Sequence, residues 1–109
     1  MLENGEVIAI DQDPLGIQGT VVARRGDGEV WAKPLAGGEY AVALLNRGSQ
    51  PLRIVTTAGE VGLSAARSYR VRDVWAHTTA TVESRIGAVV APDSVVLYRV
   101  APQPVSRRA

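Results

Sequence analysis

The sequence predicts an all-β fold, an antiparallel sandwich or barrel of about eight short strands. Short β-branched runs recur between Gly, Pro, Asn and Asp residues, and stretches with helical periodicity are almost absent. Valine dominates these runs, phenylalanine is missing, and 46% of the 109 residues are hydrophobic. This composition suits one compact domain with a core of small aliphatic side chains.

Eight strands are expected along the chain, at residues 19–24, 29–33, 40–46, 52–57, 68–76, 79–85, 88–90 and 95–100. Gly26-Asp27-Gly28 supplies a tight hairpin turn, and residues 37–38 and 48–51 provide the next two connections. Strands joined by such short turns pair antiparallel.

Alternation of apolar and polar residues assigns the face of each strand that points to the core. The predicted inward residues are Tyr40, Val42, Leu44, Leu52, Ile54, Tyr69, Val71 and Val82. Both faces of residues 95–100 are largely apolar, so this last strand is expected to be central or covered.

The first residues do not fit the strand pattern. Residues 7–10 have strand propensity, yet Asn4 placed before Glu6 can equally cap a short helix, and Pro14 ends either element. Periodicity leaves both possibilities open. The C-terminal residues 102–109 are expected to form a solvated tail.

Composition excludes several classes of function. Twelve basic and eleven acidic side chains give a net charge of +1, with no basic stripe for nucleic acid. Cysteine is absent and His77 is the single histidine, which excludes disulfides, thiolate zinc sites and multi-histidine metal sites. The apolar runs are too short to cross a membrane, and no signal peptide is expected near Met1.

No short catalytic or phosphate-binding motif is present, so no catalytic residue is predicted. The sequence has neither a Walker loop nor a Gly-x-Ser-x-Gly elbow, and Gly26 and Gly28 precede a strand where a dinucleotide site needs a helix. His77 has no partner at triad spacing and is interpreted as a solvent-facing loop residue.

Aspartates are the remaining candidates for chemistry. Asp11 and Asp13 lie on one side of an extended segment, as a glycosidase pair requires, but Pro14 makes a turn role for Asp13 the simpler interpretation. The other aspartates are isolated and lack the oxygen-ligand spacing of a calcium loop. We therefore expect no metal and no bound cofactor.

Two tryptophans stand out as candidate contact residues. Trp31 shares a strand face with Glu29 and Lys33, and a large apolar ring on a polar face suggests contact with something outside the domain. Trp75 lies where a strand runs into the His77 loop. An interface with another domain is the favoured role, and stacking of a sugar ring on Trp31 or Trp75 is the alternative.

Longer segments resemble a known family. The segments are EVIAIDQDPLGIQG at 6–19, EVWAKPL at 29–35, GEYAVALLNRG at 38–48, VRDVWAH at 71–77 and VVLY at 95–98. In this order they resemble the junction and C-terminal domain of glycoside hydrolase family 27, the α-galactosidases. The resemblance covers nearly the whole chain and is far more specific than any short motif.

The resemblance implies an antiparallel Greek-key β-sandwich with a short N-terminal helical stub. Residues 4–12 would then be the last helical piece of a catalytic barrel. The implied organisation is a junction stub at 1–18, the sandwich domain at 19–101 and a tail at 102–109.

Family members are retaining hydrolases of terminal α-galactosides, and their two catalytic aspartates come from an N-terminal (β/α)8 barrel. The barrel segments that carry these aspartates are not among these residues, so no catalytic residue transfers to this chain. The implied function is a non-catalytic accessory domain that packs on the barrel of its parent enzyme. The expected interface residues are Asp13, Pro14, Leu15 and Trp31.

The resemblance leaves the substrate of the parent enzyme open. α-N-Acetylgalactosaminide and β-arabinopyranoside remain alternative substrates, because the barrel loops that would distinguish them are not among these residues. A galactose-containing carbohydrate is the alternative partner. Lys33 is the single lysine beside eleven arginines, which suggests a bacterial source with a high-GC genome.

Overall fold

The computed structural model describes Gly5 and residues 19–103. The strands in this part are β1 Thr20–Arg25, β2 Gly28–Pro34, β3 Tyr40–Asn46, β4 Leu52–Thr57, β5 Ser68–Asp73, β6 Thr78–Val82, β7 Arg85–Val90 and β8 Ser94–Gln103. A short helix, α1 (Ala58–Val61), follows β4, and a 3-10 turn occupies Ala36–Gly38. The predicted all-β fold of about eight strands is confirmed. Apart from Gly5, the predicted helical segment 4–12 lies outside the described residues.

The strands form two antiparallel sheets. The larger sheet has six strands in the order β1-β2-β3-β8-β5-β6, and the smaller sheet pairs β4 with β7. The chain leaves the larger sheet after β3 and after β6 and returns to it each time, as a Greek-key sandwich requires. β8 lies between β3 and β5, which confirms the central position predicted from its two apolar faces.

The core lies between the two sheets. Its buried residues include Val42 and Leu44 on β3, Ile54 on β4, and Tyr69 and Val71 on β5. These are predicted inward residues, and each alternates with a residue that points the other way. The remaining predicted inward residues are partly buried and pack against this core, namely Tyr40, Leu52 and Val82.

The β5–β6 connection differs from the prediction. β5 ends at Asp73 and not at residue 76, because Oδ1 of Asp73 accepts hydrogen bonds from the main-chain N–H groups of Trp75 (3.0 Å) and Ala76 (2.9 Å). His77 completes the turn with a φ of 58°. Because the aspartate side chain accepts hydrogen bonds from the main-chain N–H groups that follow it, those groups no longer pair with a neighbouring strand.

Two further strand boundaries differ. The strand predicted at 79–85 is interrupted at residues 83–84, where the chain passes from one sheet to the other, and β7 therefore begins at Arg85 and not at residue 88. β8 continues to Gln103, three residues past its predicted end, because Gln103 pairs with Ser68 of β5. The side chains of this pair are also hydrogen-bonded, at 2.9 Å.

Helix α1 begins and ends with recognisable caps. The Thr57 side chain accepts a hydrogen bond from the N–H of Glu60 (3.1 Å), and Gly62 ends the helix with a left-handed φ of 106°. Neither described helical element is long and apolar enough to cross a membrane.

Candidate functional site

The outer face of the six-stranded sheet, which points away from the smaller sheet, carries Trp31. Trp31 lies opposite Val21 of β1 and Ala43 of β3, and Ala43 lies opposite Leu97 of β8. We define the apolar band as Trp31, Ala43, Leu45, Val95 and Leu97, together with Trp75 of the β5–β6 loop. Val95 is 45% exposed and Trp75 is 40% exposed. Within residues 19–103 the other four members of the band are partly buried, so Val95 and Trp75 are its solvent-exposed part.

A nearly buried carboxylate holds the Trp31 ring in place. Glu29 is only 5% exposed, and its Oε1 accepts a hydrogen bond of 3.0 Å from Nε1 of Trp31. Its Oε2 forms ion pairs with Arg47 (3.0 Å) and Arg24 (3.3 Å). Residues two apart on a strand share a face, so this pairing follows directly from the sequence spacing. The prediction of Trp31 as a contact residue did not include Glu29 as its partner.

These contacts favour the ionised form of Glu29. The hydrogen bond from Trp31 lowers the pKa of the Glu29 carboxyl most, and the guanidinium groups of Arg47 and Arg24 lower it further. Desolvation opposes these contacts but does not outweigh them. Glu29 is thus a structural anion that orients Trp31, and its charge is already matched by two arginines.

Two loops fold onto the same outer face and form a second, smaller core. Leu35, from the β2–β3 connection, and Val74, from the β5–β6 turn, are buried together with Ala41 of β3. The N–H of Val74 also bonds the carbonyl of Leu97 at 3.2 Å. Strict alternation assigned this face to polar residues and missed the cluster. The loops shield one part of the face, and Leu97 of the apolar band packs against them, whereas Val95 and Trp75 stay exposed.

The chain enters the sandwich beside Trp31. A Cβ built on Gly19 would lie 4.0 Å from Cε3 of the Trp31 ring and 3.7 Å from Cβ of Lys33. Trp31 and Gly19 also line a shallow cavity of about 140 Å³, with Ala43 and Leu97 beneath it. Gly19, where the described sandwich begins, therefore lies at the edge of the apolar band.

Trp75 lies beside a larger open groove of about 390 Å³. Val95 and Val96 of β8 form its apolar side, and the polar residues Asp73 and Ser94 also line it. The Asp73 turn fixes the main chain of Trp75, and the Trp75 side chain is 40% exposed. This groove offers an aromatic face with polar groups nearby.

Comparison with known proteins identifies the family. Residues 25–100 match the family described as the alpha galactosidase C-terminal beta sandwich domain. The chain belongs to this family. It is 45% identical over 104 residues to an α-galactosidase of Coffea arabica, covering 94% of this chain and 28% of that protein. It is 43% identical over 99 residues to α-galactosidase 2 of Arabidopsis thaliana, covering 90% of this chain and 25% of that protein.

The fold of this α-galactosidase C-terminal domain also matches a solved structure. The crystal structure of α-galactosidase I from Mortierella vinacea superposes with a TM-score of 0.85 at 25% identity, covering 95% of this chain and 28% of that one. The chain thus spans about a quarter of the length of the relatives it matches. These relatives are from plants and a fungus, and they do not support the predicted bacterial source.

The other predicted site residues of the domain are placed as follows. Asp13, Pro14 and Leu15 lie outside the described residues, so only Trp31 of the predicted interface set is seen. His77 is exposed, as predicted, and its N–H bonds the carbonyl of Asp73 at 2.8 Å. Within residues 19–103 the structure brings together no group of three or more His, Asp or Glu side chains that could hold a metal ion.

Proposed function

We propose that this chain is the accessory C-terminal domain of an α-galactosidase and packs against an N-terminal catalytic (β/α)8 barrel through the apolar band. The observation that carries the proposal is the apolar band itself, because its Trp31 lies beside Gly19 and its Val95 and Trp75 are exposed. Exposed contiguous apolar surface is characteristic of interfaces, and Trp31 within the band is oriented by its hydrogen bond to Glu29. In this proposal residues 1–18 connect the barrel to Gly19, which lies next to this surface.

The lengths of the relatives support a two-domain enzyme in which one domain is catalytic and the other is accessory. These relatives are α-galactosidases about four times as long as the matched region, so the remainder of such a protein has room for a separate catalytic domain. In this proposal the parent enzyme hydrolyses terminal α-galactosides in its barrel. The sandwich contributes stability by covering apolar barrel surface, and no residue of the sandwich takes part in the chemistry.

A chimera tests the packing role. The matching region of the Coffea arabica enzyme is replaced by this chain, and the thermal half-life of α-galactosidase activity is measured. Val95→Asp should shorten the half-life by about tenfold or more, because it places an unpaired charge in the proposed interface. Val89→Asp is the matched control, since Val89 is a 59% exposed valine on β7, on the other sheet.

Two results would contradict the proposal. One is an equal loss of half-life for both valine variants, which would place the barrel elsewhere. The other is turnover of a chromogenic α-galactoside by the purified 109-residue chain, which would place catalytic groups in this domain. Thermal melting of the isolated chain carrying each substitution is the control, and neither variant should lower the melting temperature of the sandwich itself.

Carbohydrate binding at Trp75 is the second candidate function. The Trp75 groove is more than twice as large as the cavity beside Trp31, and Asp73 and Ser94 provide hydrogen-bonding oxygens beside its ring. The test is a chemical-shift titration of the chain with melibiose. Localised shifts around Trp75 that disappear in Trp75→Ala and persist in Trp31→Ala would support sugar stacking, and their absence would reject it.

A further inference from the structure

A cavity opens between the two sheets, beside β7. The smaller sheet has two strands and the larger sheet has six, so the inner face of β5 and β6 is only partly covered. The cavity has a volume of about 320 Å³ and lies between this inner face and β7. Val71 and Ala80 line it from the larger sheet, and Ile86 and Gly87 line it from β7. Ala80 and Gly87 are exposed, so the cavity is open to solvent.

Three polar side chains lie side by side at one end of the cavity. Thr78 of β6 is opposite Asp73 of β5, and Asp73 is opposite Tyr98 of β8. We define these three cavity-lining residues as the polar row. Val71 lies two residues before Asp73 and therefore shares its sheet face, with Ala80 opposite it. The cavity thus combines hydrogen-bonding groups at one end with an apolar wall next to them.

Tyr98 contributes both a ring face and a hydroxyl group to the polar row. Its side chain is partly buried and packs against the core. Within residues 19–103 no protein group forms a hydrogen bond with its hydroxyl. Burial, and then the charge of nearby Asp73, raises the pKa of Tyr98, so the hydroxyl keeps its proton and can donate as well as accept. A ligand in the cavity would supply the hydrogen bond that the described residues do not.

The charged groups of the cavity indicate a neutral ligand. Asp73 and Arg85 are the two charged residues that line it, and their formal charges cancel. A ligand with a single net charge would be attracted by one of them and repelled by the other. Asp73 accepts hydrogen bonds and Arg85 donates them, whereas the hydroxyl groups of Thr78 and Tyr98 do both. Hydroxyl groups on a ligand can pair with each of these residues, because they also do both.

We propose that this cavity binds one pyranose ring of a carbohydrate, with ring hydroxyls on the polar row and a C–H face against Val71 and Ile86. Ligand sites are mostly apolar, contain a few polar groups that fix orientation, and have volumes from about 300 Å³ upward. A cavity of about 320 Å³ therefore suits one ring and not a long oligosaccharide. The site lies on the opposite face of the larger sheet from the apolar band, so packing through that band would leave it accessible.

The probes are D-galactose and D-glucose, titrated into the full 109-residue chain while amide chemical shifts are followed. The two sugars differ in the orientation of a single hydroxyl, so the test does not depend on the proposed α-galactosidase function. We expect saturable shifts at residues 71–73, 78–80, 86–87 and 98 with at least one of them. Tyr98→Phe keeps the packed ring and removes the hydroxyl, so it should weaken binding by about fivefold to tenfold, as expected for one lost hydrogen bond.

Thr78→Val and Thr81→Val form a matched pair of variants. Both threonines are exposed residues of β6, but Thr81 points to the other face of the sheet and does not line the cavity. Thr78→Val should weaken binding by about threefold or more through loss of its hydroxyl. Thr81→Val should leave the affinity within about twofold of the unmodified chain.

Trp75→Ala separates this site from the Trp75 groove. Asp73 borders both cavities, whereas Tyr98 and Thr78 line only this one and Trp75 lines only the groove. Trp75→Ala should therefore leave the affinity within about twofold. The proposal would be overturned by any of four results: no saturable shift at the named residues with either hexose, no effect of Tyr98→Phe, equal effects of the two threonine variants, or loss of binding in Trp75→Ala. Equal shifts with glycine would also overturn it, because they would indicate a site for a zwitterion.

Discussion

Replacing Asn46 with alanine should strongly destabilise the sandwich, because this one side chain joins the two sheets. Asn46 ends β3 and is 0% exposed. Its Nδ2 group donates to the carbonyl of Gln50 at 2.7 Å and to the carbonyl of Val90 on β7 at 3.0 Å. Its Oδ1 accepts from the N–H of Gly48 at 2.8 Å. The side chain therefore holds the crossing loop and ties the end of β3 to the smaller sheet.

The size of the effect follows from these three bonds. A typical intramolecular hydrogen bond contributes about 1 kcal/mol net, so losing all three costs about 3 kcal/mol. For a domain of this size that loss lowers the melting temperature by roughly 12–24 °C. The free energy of unfolding of small domains is about 5–15 kcal/mol, so the variant should still fold at room temperature.

Urea denaturation followed by tryptophan fluorescence measures the difference. Gln50→Ala is the matched control, because the bonded group of Gln50 is its main-chain carbonyl and its side chain is exposed. That control should stay within about 0.5 kcal/mol of the unmodified chain. A loss below about 1 kcal/mol for Asn46→Ala, with an unchanged denaturant slope, would refute the assigned role of the three bonds.

Two further predictions concern charge and backbone conformation. Contacts with Trp31 and arginines lower the pKa of Glu29 in the folded chain, so its stabilisation is present above about pH 4.3 and is lost as pH falls through the lower folded value. Thermal melts between pH 7 and pH 3 should show Glu29→Gln less stable at neutral pH, with a gap that closes in acid; a constant gap would argue against this account. Gly62→Ala should cost about 1–2 kcal/mol, because φ is 106° and the new Cβ would lie 3.0 Å from Oη of Tyr40. Gly59→Ala in α1 meets no atom within 4 Å and should be neutral or slightly stabilising; equal effects in calorimetry would contradict the strain argument.

Strand positions were most predictable where alternation and turn residues agreed. The predicted limits of β3 and β4 match the structure because both strands alternate clearly and are bounded by Gly, Asn or Pro. Asp73 shows the opposite case, since the extended pattern continues to residue 76 but local side-chain bonds end the strand. Hydrophobic periodicity does not reveal where a side chain competes with the neighbouring strand for the same main-chain N–H groups.

Helix α1 was missed although a sequence signal for it exists. Thr57 followed by Glu60 has the spacing of a capping box, and the structure shows the bond from the Glu60 N–H to the Thr57 side chain. A helix of four residues is too short to produce a recognisable apolar period.

The candidate surface was predictable only in part. Trp31 was predictable because it is an apolar ring on a strand face that is otherwise polar. The rest of the apolar band depends on which strands become neighbours. Ala43 and Leu97 are 54 positions apart in sequence and meet only because β8 inserts beside β3. Strand order of this kind is a property of the whole fold and is not encoded in any local window.

The position of β8 constrains how this domain is made. Tyr40 pairs with Val100, sixty residues later, and sheets built from such distant pairs fold slowly. During synthesis the strands β1-β2-β3 and β5-β6 leave the ribosome before β8, the strand that joins them, has been made. The nascent chain therefore cannot complete the six-stranded sheet until β8 has been made, and a chain ending before β8 would leave β3 and β5 without the strand that joins them.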